Sequence, residues 1–422
     1  MPNIEDIQTI PTCTCETDDL AIPGAEEARR LSRERMLELE SRAVRTTADE
    51  EPLSIGLVIH LVGNVDDANQ VSDEQIFGNV KQLNRWFDQT SPDIATQTPT
   101  SIQPLILNRP IGYHFYIKDI TRNFVLPSGI WHSQNANQNN DYFGTTGITT
   151  TMCRGSQGGV DPDRATKYIN LVIANFSSVG LDPEFWDGNQ FSNMSASGFA
   201  WLPQDWALYN PSNNGLYFQR LVLSSLYVGG NDSLAEEALL NQMYRDLGYT
   251  VPNYYFRGQT LAHEMGHLLD LQHSWGNIPW DRWNSPNFAV CGSDPNVADI
   301  QANDGYFLGT GRRDGWSGPP EDLYQPMPGR RICGEQFGEG WPVCYSNVMN
   351  YGNDDLAVMF TDDQRTRMRR TCQGIYPTFK TLVETPAPID FNNRTSSIAG
   401  MQANGASAQR AYVGSNLVWT KP

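Results

Sequence analysis

Apolar patterning begins at Leu53. From there to Val62 only Ser54, Gly56 and His60 interrupt a run of Leu, Ile and Val, which predicts a buried strand. Ser72-Asp73-Glu74-Gln75 then has the order of a capping box, and Ile76, Val80, Leu83 and Phe87 recur at helical spacing behind it. Residues 97–118, centred on Ile106 and the run Tyr113 to Ile117, predict a second strand, and Tyr168 to Ala174 a third. Ser197 to Pro203 reads as an aromatic strand and turn, and Leu221 to Val228 as another apolar strand before a polar, helix-like stretch to about Tyr255. Strands separated by helical patterns predict an α/β subdomain, closed by a helix through His263 and His267. From Ser274 to Ser346 periodicity gives way to glycines, prolines and acidic clusters, an irregular region of a length that is usually functional or cross-linked.

Composition narrows the class. A chain of 422 residues with 39% hydrophobic residues can bury a large core. A net charge of -18 and a pI near 4.7 make nucleic acid and anionic membranes unsuitable partners. No apolar run reaches the length of a membrane span. Residues 1–22 lack a basic region followed by an apolar core, so no signal peptide of the usual form is visible. Seven cysteines, an odd number and widely spread, settle neither the compartment nor a disulfide framework.

The candidate chemistry lies in His263-Glu264-Met265-Gly266-His267, followed by His273. Histidines four apart on a helix point the same way, so His263 and His267 can direct two imidazoles at one ion. Glu264 stands beside them, where a carboxylate can take a proton from water without itself becoming a ligand. His273 would be the third ligand, arriving after the helix ends, and three protein ligands are the catalytic rather than the structural zinc pattern. Only six histidines occur in the chain, so three within eleven positions are not a chance cluster. His60 and His114, in apolar strand contexts, read as core histidines, and His132 has no assigned role.

These residues resemble the metzincin signature H-E-x-x-H-x-x-G-x-x-H, with Asp270 where that family has glycine. The family glycine permits a positive-φ turn, and Asp is among the few other residues that tolerate one. Further on, Ser346-Asn347-Val348-Met349-Asn350-Tyr351 is similar to the metzincin Met-turn, and Phe360-Thr361-x-x-Gln364 to the segment that closes the pappalysin domain. The chain is therefore identified as similar to pappalysin-type metzincins over roughly Leu53 to Cys372. The resemblance implies a metzincin-like catalytic domain: a twisted mixed sheet and zinc-site helix above an irregular, loop-rich C-terminal subdomain. It implies one catalytic zinc on His263, His267 and His273, Glu264 as general base, Met349 beneath the histidines, and a Tyr351 phenol at the oxyanion. It also implies that Gly198, Phe199, Ala200 and Trp201 lie on the strand that pairs with an extended protein or peptide substrate. Val297-Ala298-Asp299 is similar to a Val-x-Asp-Thr-Pro element of the same family.

Four regions follow: 1–51, 52–273 ending in the zinc helix, 274–373 with the Met-turn, and a tail, 374–422, without an assigned role beyond its strand-like stretch Tyr412 to Trp419. A thiolate from 1–51 could occupy the open metal position and keep the enzyme latent. Cys15-Glu16-Thr17 is similar to the Cys-x-Thr element of some pappalysin prosegments, which selects Cys15 over Cys13. The carboxylates of 274–346 could hold calcium, although no EF-hand-like order is present. Relatives carry a cysteine after the Met-turn tyrosine that this chain lacks, so a family disulfide is absent. Relatives that prefer basic residues after the cut have an acid near this point, for which Asp354 and Asp355 are the candidates. The expectation is a secreted zinc endopeptidase, with no prediction of oligomeric state. Two alternatives remain: a gluzincin with a downstream glutamate as third ligand, and a catalytically silent zinc-binding or adhesion module.

Overall fold

The computed structural model describes residues 53–63, 71–90, 110–124, 167–174, 197–200, 220–230, 232–246, 256–274, 347–350, 357–372, 410–413 and 416–420, with positions 94, 160, 161, 163, 202, 297, 299 and 354. Five strands form the main sheet: β1 (Leu53–Gly63), β2 (Tyr113–Phe124), β3 (Ile169–Ala174), β4 (Gly198–Ala200) and β5 (Arg220–Ser224). Their order is β2-β1-β3-β5-β4, with β4 alone antiparallel. The central strands are buried on both faces, Ile55 to Val62 in β1 and every residue of β3 and β5. Near-continuous apolar runs are what parallel strands covered on both sides require, and they made β1 and β3 readable in advance.

Helix α1 (Asp73–Phe87) starts at the predicted capping box: Gln75 N–H donates to Ser72 Oγ at 3.1 Å and Ser72 N–H to Gln75 Oε1 at 2.8 Å. Its apolar stripe is buried, and Phe87 meets Phe115 of β2 at 4.9 Å and Phe360 at 5.1 Å between ring centroids. Asn84 locks the helix to β2, donating to Phe115 C=O and accepting from Phe115 N–H, both at 2.8 Å. Two more helices lead to the site, α2 (Leu239–Asp246) and α3 (Gln259–Leu268), and α4 (Asp362–Arg370) follows the Met-turn. A C-terminal antiparallel pair, β6 (Arg410–Val413) and β7 (Asn416–Thr420), occupies the predicted strand-like end. Among the described residues no helix is long and apolar enough to cross a membrane.

Three expectations change. The strand placed over 97–118 runs from Tyr113 to Phe124, and residues 97–109 lie outside the described set. The run Leu221 to Val228 is divided between a five-residue strand, Arg220–Ser224, and a 3-10 turn at Ser225–Tyr227, the change falling where Ser224 and Ser225 interrupt the apolar residues. His114 is exposed rather than in the core, because on the outermost strand Tyr113 and Phe115 take the buried face and His114 the other. His60 is a core histidine with satisfied nitrogens: Nε2–H donates to Asn170 Oδ1 at 2.8 Å and Nδ1 lies 2.9 Å from Thr121 Oγ1. Burial holds its pKa below the usual histidine value.

Candidate metal centre

Helix α3 begins at Gly258, whose φ of 87° only glycine takes without strain, and whose missing Cβ leaves room for the Gly229 carbonyl and the Asn79 amide. No side chain at the N-cap satisfies the first amides. Asp354 does so from far along the chain: its carboxylate accepts from the N–H of Arg257 and, at 3.1 Å, of Gln259. A buried carboxylate at a helix N-terminus is favoured by the exposed amides and the helix dipole. Asp354 thus caps α3, a role that its candidacy as an acid facing the substrate did not include; Asp355 lies outside the described residues.

Every residue of α3 is buried. The helix ends in a Schellman motif: Asp270 N–H donates to His267 C=O and Leu271 N–H to Gly266 C=O, both at 2.9 Å. Asp270 occupies the left-handed position of that motif with φ 77°, the conformation for which the family uses glycine. Its carboxylate is not idle. It forms an ion pair with the Arg367 guanidinium of α4, and both side chains are fully buried.

The turn brings His273 back to the helix. His267 Nε2 lies 3.1 Å from His263 Nε2 and 3.3 Å from His273 Nε2. His263 Nδ1 donates to Val348 C=O and His267 Nδ1 to Leu271 C=O, each at 2.7 Å. Those bonds place the ring protons on Nδ1 and leave the Nε2 lone pairs facing one another. Converging lone pairs repel unless a cation lies among them, and a tetrahedral site with bonds of about 2.0–2.1 Å has ligand-to-ligand edges of about 3.3 Å. The donor set therefore fits zinc. Among the described residues these three histidines form the one group able to hold a metal, and the glutamates downstream of them lie outside the described residues.

Below the cluster lies the turn Asn347 to Asn350. Met349 is buried with its sulfur against Gly266, where a Cβ would collide with it; this explains why glycine occupies that place in the histidine motif. Ser274 N–H donates to Met349 C=O at 3.2 Å, tying the residue after His273 to the turn. Asn347 and Gln364 exchange two amide hydrogen bonds, at 2.7 and 3.0 Å, while Gln364 also closes a capping box with Thr361. The Phe-Thr-x-x-Gln segment thus holds α4 against the Met-turn.

Glu264 is buried, and its Cγ lies toward β4, 3.0 Å from where a Cβ on Gly198 would stand. Gly198 and Ala200 lie on β4, the last strand in the sheet order, beside α3; of Phe199 the strand backbone alone is described. Trp201, Tyr351, Cys13, Cys15, His132 and the cysteines at 291, 333 and 344 lie outside the described residues. Of the irregular region proposed for calcium, Asp299 is described, and it caps α4, accepting from Thr361 Oγ1 at 2.7 Å and Asp363 N–H at 3.0 Å.

Sequence reasoning missed the capping role of Asp354, the Arg367 partner of Asp270, and the Asn347 to Gln364 tie. The first two join positions 97 apart and the third positions 17 apart, beyond the reach of a local pattern. Charged helix faces are ordinarily solvated, yet Arg365, Arg367 and Arg369 are all buried.

No protein-family model and no curated protein sequence matches the chain. The fold is similar to that of a promirolysin mutant of Tannerella forsythia, with a TM-score of 0.52 and 19% identity over 86% of this chain and 97% of that one. Mirolysin in complex with a compound matches with a TM-score of 0.48 and 20% identity, covering 79% and 97%. Mature Tannerella forsythia mirolysin in complex with a cleaved peptide matches with a TM-score of 0.46 and 19% identity, covering 79% and 97%. The first likeness gives this chain the mixed α/β fold of metalloprotease catalytic domains.

Proposed function

We propose that this chain is a zinc-dependent endopeptidase of the pappalysin type, made as a latent, exported proenzyme, that hydrolyses peptide bonds in proteins. The observation that carries the reading is the convergence of three Nε2 atoms, 3.1 and 3.3 Å apart, on a helix whose next side chain is the buried Glu264. A zinc ion held by His263, His267 and His273 would polarise the scissile carbonyl and acidify a water molecule. The protein's own groups do the rest. Strand β4 offers its outer edge to an extended peptide, which places a scissile bond alongside α3. Glu264 takes a proton as the water oxygen bonds to the carbonyl carbon, then delivers it to the amide nitrogen as the C–N bond breaks. The Tyr351 phenol serves the oxyanion by the same resemblance, and Cys15 from the segment 1–51 blocks the metal before activation.

The test is a time course of the purified full-length chain with zinc and an unfolded protein substrate, run beside Glu264→Ala and followed by intact mass. The wild type is expected to cut the substrate and shed the segment 1–51, and the variant to do neither while retaining one zinc. If neither protein cuts anything even after 1–51 is removed by design, the peptidase reading falls and a zinc-binding module takes its place.

A further inference from the structure

Helix α4 reaches the histidine cluster along two routes. Gln364 holds Asn347, whose Oδ1 accepts from Met349 N–H at 2.9 Å, and so fixes the turn whose Val348 carbonyl orients His263. Arg367, one turn along the same face, holds Asp270, and so fixes the turn whose Leu271 carbonyl orients His267 and which carries His273. Asp270 and Arg367 are both fully buried, and each supplies the other with an opposite charge in a setting where taking one away is costly.

We infer that the Asp270–Arg367 ion pair is a positioning device for the metal ligands, standing in for the glycine of the family motif. Glycine permits a left-handed turn without enforcing it. Asp270 adopts the same φ of 77° with a side chain anchored to a helix from 97 positions away, so the register of His273 is set by tertiary structure as well as by local conformation. The two residues are therefore coupled: restoring the motif glycine alone takes from a buried guanidinium its carboxylate, and removing the arginine alone takes from a buried carboxylate its guanidinium. This inference rests on the metal-centre reading, and it assigns no proton transfer or substrate contact to either residue.

The experiment measures zinc affinity by chelator competition, and the visible absorption of the cobalt-substituted protein, in full-length wild type, Asp270→Gly, Arg367→Met and the double variant. Each single variant is expected to lose about tenfold or more in zinc affinity with an altered cobalt spectrum, the range for groups that orient metal ligands. The double variant is expected to recover affinity to within about threefold of wild type. A single variant that does not fold is replaced by Asp270→Asn, which keeps the volume and the tolerance of positive φ while removing the charge, with the same loss expected. Single variants that lower thermal stability but leave zinc affinity and the cobalt spectrum unchanged would overturn the inference and leave the metal centre standing. Wild type that binds neither zinc nor cobalt would overturn both.

Discussion

At Gly198 the contact between the edge strand and helix α3 leaves room for a hydrogen and little else. A Cβ there would lie 2.8 Å from Leu223 Cδ2, 2.9 Å from Thr260 Cγ2 and 3.0 Å from Glu264 Cγ, all inside the roughly 3.5–4.0 Å of ordinary carbon contact. Leu223 can turn aside. Thr260 and Glu264 stand four apart on one face of α3, so an added methyl presses on the helix at the residue proposed as general base. Gly198→Ala is expected to cost about 1–3 kcal/mol of stability by overpacking. It should also lower kcat about tenfold or more through misplacement of the carboxylate, with KM and zinc content little changed. Steady-state kinetics beside metal analysis checks this, and a kcat within about twofold of wild type would mean that β4 does not set the position of Glu264. The glycine had been readable only by likeness to a family segment. The structure supplies the cause, which is the distance between two elements that local pattern cannot report.

Between elements the decisive ties are long-range. Helix α3 was legible as a helix from its paired histidines, and α1 from its capping box and apolar stripe, because both signals are local. The N-terminus of α3 was not legible, since its cap comes from Asp354, nearly a hundred positions later. Asp354→Ala is expected to cost about 1–2 kcal/mol of unfolding free energy, the usual range for losing an N-terminal cap, and to leave unchanged the residues accepted after the cleaved bond. Denaturant unfolding measures the first and cleavage of a peptide library the second. A changed library profile at unchanged stability would return Asp354 to the substrate pocket. In helix α4 the arginines are buried against backbone: Arg365 donates to Pro110 C=O at 3.0 Å and Arg369 to Gly112 C=O at 3.1 Å, clamping the start of β2. Backbone carbonyls at a strand entrance leave no trace in sequence periodicity.

For the molecule as a whole, the histidine cluster lies where α3, the turn after it and the turn at Met349 meet, and the apolar core of the five-stranded sheet continues into Leu261, Met265, Leu268, Val348 and Met349 beside it. The fold class and the grouping of the three histidines were readable because the histidine motif and the strand runs are contiguous; the place of Met349 beneath them was read by resemblance alone, and the joint between its turn and α3 was not readable, since it depends on tertiary hydrogen bonds. That joint is where metal should matter most. Three imidazoles whose Nε2 atoms stand 3.1 and 3.3 Å apart are held together against lone-pair repulsion, so metal binding and closure of the joint are linked. At a free zinc concentration about a thousandfold above Kd, binding contributes about 4 kcal/mol to stability. Chelation is therefore expected to lower Tm and to speed hydrogen exchange at the Ser274 and Asn350 amides, which bond to Met349 and Asn347 carbonyls, while amides of β1, β3 and β5 stay protected. Exchange followed by mass spectrometry with and without chelator separates the outcomes. If the sheet amides open together with the joint, the two parts fold as one unit and the metal supports both; if neither Tm nor exchange responds, the cluster holds no metal.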